Sequence, residues 1–395
     1  MSTQLDVAQL RAGTPGCNHV IHFNQAGAGL PPAEVADAMR SRIELEARHG
    51  PMETASSGEE IKAQARELAA GLIGCKPAEL AFMSSTGTAW GMPVASLPEF
   101  RAGDRILVSQ QEWGGNLATL RYKAARAGAT VEPMPTRQDG VTDLDALRTM
   151  IDKHVRLICL TWLPCNGGLI DDAEGIGRIA QEHDIPYIVD AAQAVGQIPV
   201  DVRQIGCDVL VSTARKHLRG PRGTALLYVR EAFLDRLSPP WGDHVSMPYL
   251  DEMPQPRTDA RRFESSEMSA VLMAGLQAAL TLATRIGIDE IQARVSNMSA
   301  FLRQRLEEIP GVTVLDRGTR LSGLVAFNLD NMVAGAVQSR LRERGIAIGS
   351  NGMAYTPLDM NLRGLDQVAR ATVSYLTTEA EIDALCAAVR DCAIS

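Results

Sequence analysis

Between residues 80 and 229, short runs of consecutive apolar residues alternate with longer stretches whose apolar positions recur every three or four residues. The runs at 80–83, 105–108, 130–133, 157–161, 185–189, 209–211 and 225–229 read as buried strands. The stretches at 116–127, 144–153 and 173–183 read as helices. Strand–helix alternation at this spacing predicts an α/β fold whose central sheet is mostly parallel and flanked by helices. Upstream, a short strand at His22 runs into the glycine-rich bend Gln25-Ala26-Gly27-Ala28-Gly29. A helix is predicted over 33–48, with Val35, Met39, Ile43 and Ala47 along one face, and another over 58–73, ended by Gly74.

The pattern changes after residue 237. Residues 238–258 are proline-rich and aperiodic, so a long loop is expected there. A long helix over 269–286 follows, then helices at 289–308, 334–343 and 379–390 with short strands near 312–315 and 324–328. The expected organisation is a large domain over residues 20–268 and a smaller α+β domain built from 1–19 and 269–395, with 1–19 as a loose arm or short helix.

With 395 residues, 45% of them hydrophobic, the chain has enough material for a large core and for two domains. A net charge of −8 without a polybasic or aromatic-interleaved patch argues against a nucleic-acid partner. No apolar run is long enough to span a bilayer, and the N-terminus lacks the regions of a signal peptide. The seven cysteines are scattered without a C-x-x-C pair, as expected of reduced thiols in a cytoplasmic protein. The histidines show no metal-ligand spacing, so no metal site is expected.

The run at 185–189 ends at Asp190, and the run at 209–211 ends just before Thr213-Ala214-Arg215-Lys216. Side chains past the carboxyl ends of parallel strands share one crevice, which brings Asp190 and Lys216 together. A lysine and an acid so placed suit pyridoxal phosphate: the amine forms a Schiff base, and the carboxylate keeps the pyridine nitrogen protonated. Taken alone, the pair reads more readily as a surface lysine and a strand-end aspartate. The flanking residues favour the pocket. Ser84-Ser85-Thr86-Gly87-Thr88 lies between a strand and a helix, where free amides and hydroxyls cradle phosphate, and Thr213 and Arg215 would add a hydroxyl and a charge. Trp113, in Glu112-Trp113-Gly114-Gly115-Asn116, is placed to stack on the ring or to fill the core. Gln193 could hydrogen-bond the ring's phenolic oxygen, and Cys165-Asn166-Gly167-Gly168 ends another strand on the same rim.

The segment Val189-Asp190-Ala191-Ala192-Gln193-Ala194, with Ser212 to Lys216 and Gly220-Pro221-Arg222-Gly223, resembles the class V aminotransferase family of fold-type I pyridoxal-phosphate enzymes. The resemblance runs from about His22 to Arg390. It implies that Lys216 is the Schiff-base lysine, Asp190 the pyridinium partner, Gln193 the partner of the phenolic oxygen and Trp113 the stacking residue. Thr86, Gly87, Thr213 and Arg215 fall on phosphate-binding positions. Ser266, within Arg262-Phe263-Glu264-Ser265-Ser266-Glu267, falls in a segment that reaches the neighbouring subunit's phosphate in a homodimer with shared active sites. Arg370 aligns with the arginine that grips the substrate α-carboxylate, and Asn24, Cys165 and Asn166 are further candidates for substrate contact.

Within that family the chain is closest in pattern to cysteine C–S lyases, hercynylcysteine sulfoxide lyases and isopenicillin N epimerase-like proteins. The loop at 349–355 contains no cysteine, where a cysteine desulfurase would carry its persulfide thiol. The expected activity is therefore β-elimination from a cysteine conjugate or sulfoxide, releasing pyruvate and ammonia. Transamination or epimerisation of an amino acid is the alternative, followed by desulfuration and by an inactive scaffold. A nucleotide-binding reading lacks both glycine-rich nucleotide motifs.

Overall fold

The computed structural model describes residues 5–394; the first four positions of the expected arm lie outside the described residues. All seven predicted apolar runs form strands of one sheet: β1 (Leu80–Met83), β2 (Arg105–Val108), β3 (Thr130–Pro133), β4 (Val155–Thr161), β5 (Tyr187–Asp190), β6 (Val209–Thr213) and β7 (Ala225–Val229). Their order across the sheet is β1-β7-β6-β5-β4-β2-β3. The pairs from β6 through β3 are parallel, whereas β7 runs antiparallel to both β1 and β6. β7 reverses because the turn through Gly220-Pro221-Arg222-Gly223 is too short to hold a crossover helix.

The inner strands read as apolar runs because helices cover both faces, whereas the edge strand β3 (Thr-Val-Glu-Pro) has no buried residue. Ile106, Val108, Leu157, Cys159, Ile188 and Val211 pack on one side with Trp90 and Leu117, from the helices Thr86–Ser96 and Gly114–Ala127. Their neighbours Leu107, Ile158, Leu160, Val189 and Leu210 pack on the other with Ile73, Ile176 and Leu276, from the helices Ala55–Ile73, Ala173–Glu182 and Ala270–Ile286. A second, antiparallel sheet has the order β8-β9-β11-β10, with β8 (Val312–Val314), β9 (Leu324–Leu329), β10 (Gly349–Gly352) and β11 (Gln367–Thr372). Val325, Phe327 and Leu329 of β9 face a separate core with Leu302, Val337, Leu341, Leu385 and Val389. The alternate residues Leu324 and Ala326 face Ala26 in the glycine-rich bend.

Three differences from the sequence pattern have physical causes. On the helix Ala33–His49, Ile43 is 56% exposed while Arg42 is buried. The Arg42 guanidinium pairs with Glu46 and donates to Thr54 O, so the charged side chain is satisfied inside. The strands β10 and β11 carry too few large apolar residues to show as runs. The loop after residue 237 includes a short hairpin, Tyr249–Leu250 against Met253–Pro254, turned by Asp251 and Glu252 at positive φ. No single described helix is long and apolar enough to cross a membrane.

Candidate active site

Because β1, β2, β4, β5 and β6 point the same way, their C-terminal ends open on one side of the sheet. A cleft of about 850 Å³ lies there, closed on its far side by Arg370 of β11 and by the bend after His22. Residues from seven separate stretches meet in it. Asn24, Thr86, Gly87, Trp113, Cys165, Asp190, Gln193, Thr213, Arg215, Lys216 and Arg370 all line it.

Asp190 ends β5 and is 4% exposed. One of its oxygens accepts from Ala192 N and the other from Asn116 Nδ2, each at 2.9 Å. Burial pushes its carboxyl up, and the nearby Lys216 charge and these two donors oppose that shift. Lys216 opens into the cleft just past β6, where burial lowers its amine to about 8, partly offset by Asp190. Its backbone is clamped: Gln25 Nε2 donates to Lys216 O at 2.9 Å, and Gly29 N donates to Arg215 O at 2.8 Å. A Cβ on Gly29 would lie 2.7 Å from Lys216 O, so only glycine lets the bend come this close.

At the opposite wall, Ser85 caps the helix Thr86–Ser96, its Oγ accepting from Thr88 N at 3.1 Å. The first amides of a helix have no carbonyl partner within it, so those of Thr86 and Gly87 are left for an anion. Arg215, whose guanidinium donates to Gly27 O, and Arg222 bring positive charge into the same cleft. Trp113 is the residue before the helix Gly114–Ala127. A Cβ on Gly115 would collide with its indole, and one on Gly114 with Ala354 O. The two glycines thus make room for the ring on one side and for the loop at Met353–Tyr355 on the other.

Arg370 is 8% exposed, and its Nη1 donates to Cys165 O at 2.8 Å. Its Nε is buried without a partner. Gly349, opposite it on β10, allows the guanidinium to fold in, since a Cβ there would lie 2.6 Å from Nε. The Cys165 thiol is buried, and burial raises it despite the neighbouring Arg370 and Lys216 charges. Gln193 Oε1 faces His217 Nε2 at 3.0 Å, and its Nε2 donates to Ala26 O at 3.2 Å.

Two of the expected residues lie elsewhere. Asn166 is buried behind the cleft, with Nδ2 donating to Thr356 Oγ1 at 2.9 Å, because the chain turns inward after Cys165. Ser266 is outside this chain's cleft and exposed, its backbone N donating to Asp243 at 2.7 Å. The inward turn of the preceding residues is spent on Glu264, whose carboxylate pairs with Arg66 and bonds Phe82 N. His22, Thr161, Arg222 and Tyr355 line the cleft without having been expected there. For Arg222, the signal was its place in the glycine–proline turn. For Tyr355, it was its place in the cysteine-free loop at 349–355.

A family model for the aminotransferase class-V family matches residues 9–385. A cysteine desulfurase of Shigella sonnei is 31% identical over 378 residues, covering 92% of this chain and 91% of that protein. The complex of the cystine C–S lyase C-DES with its product cysteine persulfide is similar in structure, with a TM-score of 0.87 and 25% identity over 96% of this chain and 99% of that one. A lysine-to-alanine variant of C-DES, with glycine covalently linked to its pyridoxal-phosphate cofactor, superposes with a TM-score of 0.88 at 25% identity, over 96% and 99% of the two chains.

Proposed function

The chain belongs to the class V aminotransferase family, whose members are pyridoxal-phosphate-dependent enzymes acting on amino acids, and on that premise we propose that it is a C–S lyase. In this reading it eliminates the sulfur substituent from Cβ of a cysteine conjugate or sulfoxide. The donor set fits the cofactor. A buried amine faces a buried acid, unpaired helix-start amides sit near two guanidinium groups, and Arg370 keeps an unpartnered Nε beside the cleft.

Lys216 would hold the cofactor covalently, and Thr86, Gly87, Thr213 and Arg215 would bind its phosphate. Asp190 would pair with the ring nitrogen, Gln193 with the phenolic oxygen, and Trp113 would cover the ring and exclude water. When bound, the cofactor supplies a protonated ring that takes up the electron pair left at Cα. Arg370 grips the α-carboxylate through its planar fork, with Asn24 and Cys165 on the same wall. Lys216, its amine lowered toward neutral pH, would take the Cα proton at Nζ. Loss of the sulfur substituent leaves an unsaturated amino acid that water converts to pyruvate and ammonia.

One observation carries elimination over sulfur transfer. The loop at 349–355 reaches the cleft through Tyr355 and holds no cysteine. Cys165 is the one cysteine lining the cleft among the described residues, and burial holds it as the thiol rather than the nucleophilic thiolate. Sulfur transfer to Cys165 is the second reading, favoured by the name of the Shigella relative. The test is product analysis with cysteine conjugates. Elimination gives pyruvate without a keto-acid acceptor, alanine would instead mean desulfuration, and a stoichiometric need for a keto acid would mean transamination.

The same reading places the enzyme in the cytoplasm as a homodimer, with Ser266 offered to the neighbouring subunit's phosphate. The exposed apolar side chains of Ile43, Leu45 and Met52 give such a partner a surface. It also divides the chain near residue 268 into the two units expected from the pattern.

A further inference from the structure

Below the floor of the cleft lies a second buried carboxylate with no part in the proposed reaction. Glu112 is fully buried and accepts from Ser109 Oγ at 2.9 Å, Thr161 N at 3.1 Å, Thr161 Oγ1 at 2.7 Å and Asn116 Nδ2 at 2.9 Å. It pairs with no lysine or arginine among the described residues. An acid buried without a cation is costly, and an apolar residue would fill the space without that cost. What the acid adds is acceptor capacity for donors that have to point in a fixed direction.

Two of those donors lead into the cleft. Asn116 Nδ2 is shared between Glu112 Oε1 and Asp190 Oδ2, at 2.9 Å to each. Asn116 Oδ1 is buried without a partner, so the two carboxylates, and not its own oxygen, dictate how the amide is turned. Thr161 Oγ1 donates to Glu112 and accepts from the backbone N of Trp113 at 3.0 Å. We infer that Glu112 is a positioning residue for the cofactor, fixing the rotamer of Asp190 through Asn116 and the backbone of Trp113 through Thr161. The inference rests on the role proposed above for Asp190.

The test measures equilibrium affinity for pyridoxal phosphate and the circular dichroism that the asymmetric site induces in the bound cofactor. Glu112→Ala is expected to weaken binding about tenfold or more and to reduce the induced signal, the effect of losing a buried hydrogen bond to a charged group. Glu112→Gln keeps an oxygen facing Asn116 but turns its amide nitrogen toward Thr161 N, so it is expected to lose less affinity than Glu112→Ala and to keep most of the signal. Asn116→Ala should also lose affinity, and the double variant should fall short of the summed losses of the two single variants, because they share the link to Asp190 while only Glu112→Ala also releases Thr161. Independent, additive losses, a Gln variant as weak as the Ala variant, or wild-type binding by Asn116→Ala would overturn the inference. Where Glu112→Ala does not fold, Glu112→Gln and Asn116→Ala decide it. Asp190→Ala is the control. If it loses the cofactor while Glu112→Ala does not, this inference alone fails; if it binds normally, the reading of Asp190 fails with it.

Discussion

Replacing Arg370 tests how the substrate is held. The guanidinium is 8% exposed, sits on β11 in the second sheet, and faces a cleft formed mainly by the first. A charge-assisted hydrogen bond in such a place is worth about 1.5–3 kcal/mol, and a carboxylate gripped by the fork makes two. Arg370→Ala should therefore remove roughly 3–6 kcal/mol of transition-state binding, a fall in kcat/KM of about two to four and a half powers of ten. Arg370→Lys keeps the charge but not the fork, and should lose about tenfold. Part of the alanine effect is structural, because Cys165 O loses the donor that now sits 2.8 Å away, at about 1–3 kcal/mol of stability. The two contributions separate in competitive inhibition by an α-amino acid and by the amine that lacks only its carboxylate. Wild type should prefer the amino acid strongly, and Arg370→Ala should bind the pair with nearly equal affinity. A preference left intact in the alanine variant would refute the assignment, whatever happened to the rate.

The apoprotein's uptake of pyridoxal phosphate should depend on pH through Lys216. Only the neutral amine condenses with an aldehyde, and burial lowers this amine from its ordinary 10.5 to about 8. The capture rate should rise with pH and level off above about 8; a rate still climbing past pH 10 would count against a buried amine. Gly114→Ala drives a methyl group into the carbonyl of Ala354 and displaces the loop that carries Tyr355. It should cost about 1–3 kcal/mol in urea unfolding and raise KM, and an unchanged midpoint and KM would contradict the packing.

The first sheet was legible in the sequence because its inner strands are buried on both faces and bounded by polar or glycine residues, as at Val209–Thr213. Asp190 and Lys216 could be placed together because they follow such strands, and strand direction then fixes which end they occupy. β10, with the sequence Gly-Ser-Asn-Gly, has no apolar run, and its pairing with β11 is set by long-range contact. That pairing brings Arg370 to the cleft, so only resemblance pointed to it beforehand. Asn166 and Cys165 are adjacent in sequence, yet one faces Thr356 and the other the cleft, a choice made by backbone turning that no residue pattern displays. Glu112 was in view within Glu112-Trp113-Gly114-Gly115-Asn116, but a charged residue beside a tryptophan reads as solvated until its four donors are seen.

The account depends on the amine of Lys216 being the point of cofactor attachment. The most direct measurement is the visible absorbance of purified wild-type protein and of Lys216→Ala after each is soaked with pyridoxal phosphate and dialysed. Wild type should keep a visible band that borohydride reduction makes permanent, and the variant should come out colourless and inactive. A colourless wild type, or a variant that retains the reducible band, would contradict it.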